Sequence, residues 1–394
     1  MDLLDILLVL VILAYAASGY RRGLVAGCVS LAGFVGGAVV GVWVLPWLMD
    51  PVTPGTTAAT VTAVFTVLLP AAVGHELAGR LALRLRRELD RGPLRVADGI
   101  GGAAANVVAV LIVAWVAASV LGASSSPVVT SSIRDSRLLG AVQDVMPDTT
   151  PTWFARATSA LTQAGFPQVF NPFENESTAE VAEPTGDSVT ASATEAAKRS
   201  TVKIEGVAGD QGREGSGFVY ADEHVMTNAH VVAGIDSPTV RIGGVGPSYD
   251  ARVVLFDPDK DVAVLYVPYL KAPVLVFDDE ATRGNPAVVA GYPQDGDLNL
   301  QAATVAGRVK ATGRNIYNDE IVTREIYSIR STVRPGNSGG PLLTTTGRVY
   351  GVVFARSTSD DETGYVLTAA EVAGDAKHAA TATRPVDTGN LAPS

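Results

Sequence analysis

The stretch Arg334–Leu342, with the sequence RPGNSGGPL, places one serine between glycines in a chain of 394 residues. Glycines on both sides of Ser338 let the backbone turn sharply, so that the N–H groups of Gly336 and Ser338 can point to one spot beside the hydroxyl. An oxyanion develops at such a spot during acyl transfer, and donors held there stabilise it. The stretch therefore indicates a nucleophilic serine with an oxyanion hole, although a glycine-rich turn without chemistry is the alternative for this stretch alone.

Two segments upstream supply an imidazole and a carboxylate. In Val225–Val232 an apolar strand delivers His230 into a turn of small residues. In Asp257–Leu265 acidic residues open an apolar strand, and a carboxylate that enters a buried strand is costly unless something pairs with it. The candidate carboxylates of this second segment are Asp257, Asp259 and Asp261.

The residues after Ser200 form short β-type runs separated by Gly, Pro and Asp. Many strands at this spacing, without a long helical pattern between them, predict an all-β sandwich or barrel. A capping box at Thr368–Glu371 predicts a closing helix that runs to about Ala380. The β-type runs are Val202–Ile204, Gly217–Tyr220, Thr239–Ile242, Arg252–Phe256, Val262–Val267, Ala287–Ala290, Ile326–Ile329, Val349–Phe354 and Tyr365–Leu367.

Apolar residues are concentrated before residue 125, in stretches long enough to cross a bilayer as helices of roughly 20 residues. A cleaved signal peptide is the alternative for the first stretch, but that stretch starts with acidic residues, Asp2 and Asp5, instead of basic ones. Residues 1–125 therefore predict a transmembrane domain of four helices. Its spans are Leu3–Tyr20, Leu24–Met49, Thr56–Ala78 and Ile100–Ala123.

The arginines of this region predict its orientation, because cytoplasmic loops carry an excess of Lys and Arg. Arg21 and Arg22 lie between the first two spans, whereas the turn at residues 50–55 has no positive charge. We therefore expect both termini, and everything after residue 125, on the extracytoplasmic side. The arginines between the third and fourth spans are Arg80, Arg84, Arg86, Arg87, Arg91 and Arg95.

Gly33, Gly37 and Gly41 recur at a spacing of four along the second span. Such a stripe lets another helix approach closely, either within the same bundle or in a homo-oligomer. Both readings stay open from the sequence.

Residues 126–195 connect the two parts. The segment up to about Gly165 mixes polar residues with spaced apolar ones and predicts short amphipathic helices at the membrane surface. Pro172–Ala197 is rich in Glu, Ser, Thr and Ala, which predicts a flexible acidic linker.

Charge and cysteine content exclude several classes of function. The formal net charge is -10, with 30 basic and 40 acidic residues, which argues against a nucleic-acid partner. The one cysteine, Cys28, allows neither an intrachain disulfide nor a thiolate metal site. We expect no metal and no cofactor.

The motifs TNAH at 227–230, DVAVL at 261–265 and GNSGGPL at 336–342, in this order, resemble the chymotrypsin-fold proteases of bacteria, in particular the HtrA-like group. With the spans placed before them, the whole chain resembles more closely the actinobacterial MarP-type periplasmic proteases, whose membrane part is similar to the colicin V production (CvpA) family. The resemblance implies that residues 196–394 form two six-stranded β-barrels with the active site between them. It also implies proteolysis in the cell envelope that supports resistance to acid and oxidative stress.

The resemblance implies a role for each residue of the motifs. Ser338 would be the nucleophile, His230 the general base and then the acid, and Asp261 the partner that fixes the imidazole. Asp261 is preferred over its acidic neighbours because the run VAVL follows it directly, as in the family motif. Gly336 and Ser338 would form the oxyanion hole.

The same resemblance suggests a substrate site. Thr332 would lie near the floor of the specificity pocket, while Phe354, Ala355 and Arg356 would lie along the edge strand that pairs with the substrate backbone. Since no acid occupies the floor position, we expect medium apolar or small polar side chains in the pocket instead of Lys or Arg. Thr332 as an ordinary strand residue is the alternative.

The chain departs from the family in two respects. MarP-type proteases carry a cysteine pair, but residues 207–213 and 390–394 contain no cysteine, so redox control through such a bridge is not expected. HtrA-type proteins continue into a PDZ domain, for which we expect too few residues after Ser338. The sequence therefore predicts a membrane-anchored serine endopeptidase, and the competing hypothesis is a membrane scaffold or transport component whose β-domain binds peptides without cutting them.

Overall fold

The computed structural model describes residues 3–49, 57–86, 95–121, 132–133, 136–143, 145, 169–170, 181–208, 211–244, 246–357 and 360–389. They form two compact units, one within residues 1–148 and the other largely within residues 176–394. The first unit is helical, and the second is built mainly of β-strands.

The helical unit contains one long helix for each of the four predicted spans. Two stretches, Leu4–Arg22 and Val96–Trp115, are long and apolar enough to cross a membrane, and Ala26–Gly41 is apolar over a shorter length. A helical N-terminal region is therefore confirmed, whereas a membrane crossing by all four helices stays a prediction. The helices are α1 (Leu3–Arg22), α2 (Leu24–Met49), α3 (Thr57–Arg86), α4 (Arg95–Leu121) and the short α5 (Arg137–Gln143).

Helices α2 and α3 pack with their backbones in contact. A Cβ atom at Gly37 would collide with the carbonyl oxygen of Pro70, and one at Gly33 would collide with Ala78 and with the carbonyl oxygen of Gly74. Small residues allow this approach, which van der Waals contacts then stabilise. Two of the three stripe glycines therefore pack inside their own bundle, which favours that reading over a homo-oligomer.

We predict that Gly37→Ala loosens the α2–α3 contact, while Gly36→Ala does not, because no atom of the described residues outside its own helix lies within 4 Å of a Cβ at Gly36. Alanine favours the helix over glycine by about 1 kcal/mol at both positions, so the pair isolates the packing effect. Thermal unfolding of the full chain in detergent should show a lower midpoint for Gly37→Ala only. Equal midpoints for the two variants would contradict the packing described here.

The β unit consists of a seven-stranded sheet and a closed six-stranded barrel, and all the strand pairs are antiparallel. The sheet has the order β5-β4-β1-β2-β3-β7-β6 and the barrel the order β10-β13-β12-β11-β8-β9. The sheet strands are β1 (Thr201–Ala208), β2 (Gln211–Ala221), β3 (His224–Thr227), β4 (Thr239–Ile242), β5 (Tyr249–Asp250), β6 (Arg252–Asp257) and β7 (Val262–Tyr266). The barrel strands are β8 (Pro286–Gly291), β9 (Asn299–Arg314), β10 (Ile321–Arg330), β11 (Pro341–Thr344), β12 (Val349–Arg356) and β13 (Thr363–Thr368).

This architecture agrees with an all-β unit but differs from the expected pair of six-stranded barrels. The second barrel is closed and has six strands, whereas the first sheet has seven strands and is not closed within the described residues. The additional strand, Tyr249–Asp250, has two residues, which is too short for a period of two to appear in the sequence.

Apolar residues on both faces of β8 connect the barrel to the sheet. Ala287 and Val289 point into the barrel core, while Val288 and Ala290 belong to a second cluster shared with Phe218 and Met226 of the sheet. Successive side chains of a strand point to opposite faces, so one strand can contribute to both cores. The region between sheet and barrel is therefore a packed core.

The predicted flexible linker, Pro172–Ala197, extends too far, because its last residues belong to helix α6 (Ala191–Ser200). The hydroxyl of Thr190 caps the helix by accepting the N–H of Ala193 at 3.1 Å, and Ala193 and Ala197 are fully buried. The prediction rested on the composition of the segment, which does not register the narrow apolar face that alanines four residues apart make on this helix. Residues 172–180 of the predicted linker lie outside the described residues.

Two other features concern the ends of the β unit. Phe170 packs edge-on against Tyr365, with ring centroids 5.2 Å apart, so the unit includes residues before the predicted boundary at 196.

The closing helix is α8 (Ala369–Ala379), and Thr368 caps it by accepting the N–H of Glu371 at 3.1 Å. The predicted closing helix and its cap are confirmed. The remaining helix of the unit is the short α7 (Ala229–Val232).

A cluster of charged groups joins the sheet to the turn at residues 293–295. The ammonium of Lys203 pairs with Asp295 and lies 3.5 Å from a carboxylate oxygen of Glu205. Burial and a hydrogen bond with Asp295 raise the pKa of Glu214 to about 7. The turn also approaches the serine stretch, since the N–H of Gln294 donates to the carbonyl oxygen of Pro335 at 2.9 Å.

The folded wild type should become less stable as pH rises from about 4.5 to about 7, because Glu214 loses its proton over this range. We predict that Glu214→Gln does not show this decrease in stability. A carboxyl whose pKa is raised on folding binds a proton more tightly in the folded state, so folding becomes less favourable as that proton leaves. Glutamine imitates the protonated carboxyl. The thermal midpoint should match the wild type at pH 5 and exceed it at pH 8.

The matched control is Glu280→Gln, which neutralises an exposed carboxylate of the same unit. We expect the difference between its midpoint and that of the wild type to be the same at both pH values. The same pattern in Glu214→Gln would contradict the prediction.

Candidate active site

Pairing of β3 with β7 brings His230 to Asp261. Thr227 is opposite Ala263 in this pair, so the residues that follow β3 lie next to the residues that precede β7. Asp261 Oδ2 lies 2.7 Å from His230 Nδ1, and Asp261 Oδ1 accepts the backbone N–H of His230 at 2.9 Å. The two hydrogen bonds fix both the position of the helix turn and the orientation of the imidazole.

Asp261 is fully buried and has a left-handed backbone, with φ of 64°. This conformation is strained for a residue other than glycine and persists only where its surroundings enforce it. Here Asn228 contributes, because its side-chain N–H donates to the carbonyl oxygen of Asp261 at 2.8 Å. In this backbone conformation the carboxylate points toward His230.

The two neighbouring acids are engaged elsewhere. Asp257 Oδ1 accepts the N–H groups of Asp259 and Lys260 at 3.0 and 2.9 Å, which stabilises the turn itself. Asp259 Oδ1 accepts the side-chain N–H of Asn315 at 3.1 Å. Of the three candidate carboxylates, the structure brings only Asp261 to the imidazole.

The serine stretch packs directly against the strands that lead to His230. The backbone N–H of Ser216 donates to the carbonyl oxygen of Ser338 at 2.8 Å, and the hydroxyl of Thr227 donates to the carbonyl oxygen of Ser216 at 2.7 Å. Gly339 has φ of 82°, and a Cβ there would collide with Ser216 and Thr227. Only glycine meets both demands, because it alone combines this backbone conformation with the missing Cβ.

The hydroxyl of Ser338 is not joined to the imidazole. Ser338 Oγ and His230 Nε2 are both buried, and neither has a hydrogen-bond partner within the part of the chain that the structure describes. The structure therefore joins His230 to Asp261 and places Ser338 in the same region without closing the second link. Such bonds are often long in an enzyme without substrate and shorten when the substrate binds.

Around Gly336 the backbone oxygens are bonded, whereas two N–H groups have no partner within the described residues. Gly336 O accepts the hydroxyl of Ser216 at 2.6 Å, and that hydroxyl accepts the N–H of Tyr292 at 2.9 Å. Among the described residues, the N–H groups of Gly336 and Ser338 have no backbone acceptor. Both N–H groups are thus available to an oxygen atom of a ligand.

Sequence reasoning missed Ser216, Tyr292 and Gln294, which hold the serine stretch from outside. Ser216 lies 120 residues before Gly336 and has no motif of its own. No local pattern could have assigned these residues, because their importance comes from packing between distant segments.

The predicted substrate residues lie at the end of β12. Ala355 and Arg356 pair with Tyr365 and Gly364 of β13, while the ladder with β11 ends at Val352 among the described residues. One side of this segment is therefore open. Ala355 is fully buried, and Arg356 Nη1 lies 3.8 Å from Asp361 Oδ1.

The side chains of Phe354 and Thr332 differ in how deeply they are buried. Phe354 is fully buried with its ring 6.0 Å from the guanidinium of Arg324, so its side chain packs in the core and only its backbone can meet a ligand. Thr332 is half-buried. No group of three or more His, Cys, Asp or Glu side chains in the described segments is placed to hold a metal ion.

Comparison with known proteins assigns both units. The family model of the trypsin-like peptidase domain matches residues 215–352, and that of the colicin V production protein matches residues 4–147. The serine protease Rv3671c of Mycobacterium tuberculosis (strain H37Rv) is 40% identical over 310 residues, which cover 77% of each chain. A probable periplasmic serine endoprotease, DegP-like, of Chlamydia trachomatis is 37% identical over 142 residues, which cover 35% of this chain and 27% of that protein.

The crystal structure of the Rv3671c protease from M. tuberculosis in its active form matches with a TM-score of 0.53 and 43% sequence identity, and the match covers 57% of this chain and 100% of that chain. The β unit accordingly has the chymotrypsin-like protease fold. The prediction of an enzyme, a serine endopeptidase, is confirmed over the alternative of a scaffold. The chain belongs to the family of Rv3671c, the MarP-type serine proteases, in which a CvpA-like helical region precedes a trypsin-like peptidase domain.

Proposed function

We propose that this serine endopeptidase cleaves proteins of the cell envelope through an acyl-enzyme formed on Ser338, with His230 as its base and Asp261 as the partner of the imidazole. The observation that carries the proposal is the pair of hydrogen bonds between Asp261 and His230, at 2.7 and 2.9 Å. They leave His230 Nε2 as the one ring nitrogen without a partner in the described part of the chain, and that atom is the base the reaction needs.

The proton steps follow from this hydrogen bonding. Because the Asp261 carboxylate accepts from Nδ1, the neutral imidazole carries its proton on Nδ1 and presents a lone pair on Nε2. Ser338 Oγ attacks the scissile carbonyl while Nε2 takes the hydroxyl proton, and the imidazolium then gives that proton to the leaving amine. A water molecule attacks the acyl-enzyme by the same route and regenerates Ser338.

The oxyanion of each tetrahedral intermediate would be bound by the N–H groups of Gly336 and Ser338. Their neighbours support this role, since Pro335 O and Gly336 O are already bonded to Gln294 and Ser216. Donors fixed in advance stabilise the developing charge without reorganisation, and loss of one donor typically costs about 10²–10³ in rate.

For substrate recognition we propose backbone pairing along Phe354–Arg356 and a pocket with Thr332 near its floor. The side of this segment that is open beyond Val353 among the described residues supports the pairing. A threonine at the floor suits medium apolar or small polar side chains.

The membrane arrangement that we propose has four spans, both termini outside and the peptidase domain on the extracytoplasmic side. The match to the colicin V production family and the two long apolar helices support membrane association. Trp43 and Trp47, 71% and 76% exposed near the end of α2, are suited to the interface between bilayer and water. Self-association through the helices would need a surface other than Gly33 and Gly37, which α3 covers.

The catalytic assignment predicts that a fluorophosphonate probe labels the wild type and does not label Ser338→Ala, because the probe forms its bond with the activated hydroxyl. The measurement is in-gel fluorescence of the full chain in detergent. Equal labelling of the two proteins would refute the assignment of Ser338.

Two further variants compare the candidate carboxylates. Asp261→Asn should label at least about a hundredfold more slowly, because an amide cannot hold the required imidazole tautomer. Asp259→Asn, which keeps an acceptor oxygen for Asn315, should label within about threefold of the wild type. The reverse order would move the role from Asp261 to Asp259.

The orientation can be tested because the chain has a single cysteine, Cys28. In a Cys28→Ser background, we expect a cysteine introduced at Thr53 to react with a membrane-impermeant maleimide in intact cells, and one introduced at Arg91 to react only after lysis. Arg21, Arg22 and the later arginines favour the cytoplasmic side for their own loops. The opposite labelling pattern would invert the topology.

A further inference from the structure

Arg324, on β10, is a charged side chain buried in the core of the β unit. It is 1% exposed, and no carboxylate within the described residues forms an ion pair with it. Its Nε donates to Asp259 O at 2.7 Å and its Nη2 donates to Arg314 O at 3.0 Å, while Nη1 is buried without a partner there. A buried guanidinium with incomplete hydrogen bonding is costly, so its position calls for an explanation.

The carbonyl that accepts from Arg324 Nε belongs to the turn Asp257–Asp261, which carries the carboxylate on His230. This turn connects β6 and β7 of the sheet. Barrel strand β10 and the β9–β10 connection hold it: besides Arg324, the N–H of Ile316 donates to Pro258 O at 3.2 Å, and Asn315 donates to the Asp259 side chain at 3.1 Å. The acceptor of the Arg324 bond, Asp259, stands two residues before Asp261.

The other face of the guanidinium contacts the proposed substrate strand. Its carbon atom lies 6.0 Å from the centroid of the Phe354 ring, within the range of a cation–π interaction. Arg324 thus bridges the turn that carries Asp261 and the segment that would bind substrate.

The charge of Arg324 faces acidic groups on two elements. Burial lowers the pKa of Arg324, and the carboxylates of Asp261, Asp259 and Asp257 on the turn and of Glu371 on α8 oppose that effect. A guanidinium stays protonated at all ordinary pH values. It therefore places a permanent positive charge near the Asp261 carboxylate, which binds His230, in a region where water screens charges weakly.

We propose that Arg324 is a positioning residue, which holds the Asp257–Asp261 turn so that the Asp261 carboxylate stays on His230, and whose charge opposes protonation of that imidazole. The inference rests on the proposed roles of His230 and Asp261. A positive charge near the pair stabilises the carboxylate as an anion and reduces the tendency of the ring to take up a second proton. The base then stays available at lower pH than it would without Arg324.

The test measures how the rate of fluorophosphonate labelling depends on pH, in the full chain in detergent, for Arg324→Lys, Arg324→Gln and Arg324→Met. The neutral variants Gln and Met should label about tenfold or more slowly near neutral pH, and the acid limb of the profile should move up by about half a pH unit or more. Arg324→Lys keeps the charge, so its acid limb should stay at the wild-type position even if its rate falls.

Arg308→Met is the matched control, because Arg308 is a partly exposed arginine of the neighbouring strand β9 that pairs with Glu325. We expect its rate and its acid limb to equal those of the wild type. Thermal unfolding identifies any variant that fails to fold.

The outcomes distinguish the role of Arg324 from the catalytic role of Ser338. Slow labelling of the neutral variants with an unmoved acid limb would leave Arg324 a purely structural residue and overturn the inference. A shifted limb in Arg324→Lys would overturn it as well, and this variant decides the matter if the neutral ones do not fold. Labelling of Ser338→Ala equal to the wild type would instead overturn the proposed function itself.

Discussion

The site is organised by the contact between a fully buried carboxylate and an imidazole. Asp261 has no access to water, so its charge must be met by donors of the protein, and His230 supplies two of them. The left-handed backbone of Asp261 and the amide of Asn228 enforce this geometry. A strained and buried carboxylate stays in this position only where the surrounding segments hold it rigidly. The rest of the β unit provides these contacts.

That rigidity depends on contacts between the sheet and the barrel. Ser216 of the sheet binds both the carbonyl of Ser338 and that of Gly336, while the β9–β10 region of the barrel holds the turn that carries Asp261. Each half of the unit thus fixes a candidate site residue contributed by the other half.

The helical unit uses a different kind of packing. In the membrane arrangement that we propose, the lipid is as apolar as the side chains, so close contact of small residues would replace the hydrophobic effect as the source of cohesion. Gly33, Gly37 and Gly74 bring two helices into backbone contact by this means. The buried polar side chains among the described residues of the bundle include Asp5, which is 2% exposed and accepts the hydroxyl of Ser136 at 2.6 Å.

The sequence by itself determined the two-part organisation, the β character of the second part and the identity of His230, Asp261 and Ser338 as candidates, because hydropathy, strand period and glycine-flanked motifs are local signals. The family motif favoured Asp261 over Asp257 and Asp259, but only the tertiary structure shows which of the three carboxylates faces the imidazole, since they lie within one turn. It also decided that residues 191–200 form a packed helix and that Ser216 and Arg324 support the site. These outcomes depend on contacts between segments up to 120 residues apart, which no local pattern encodes.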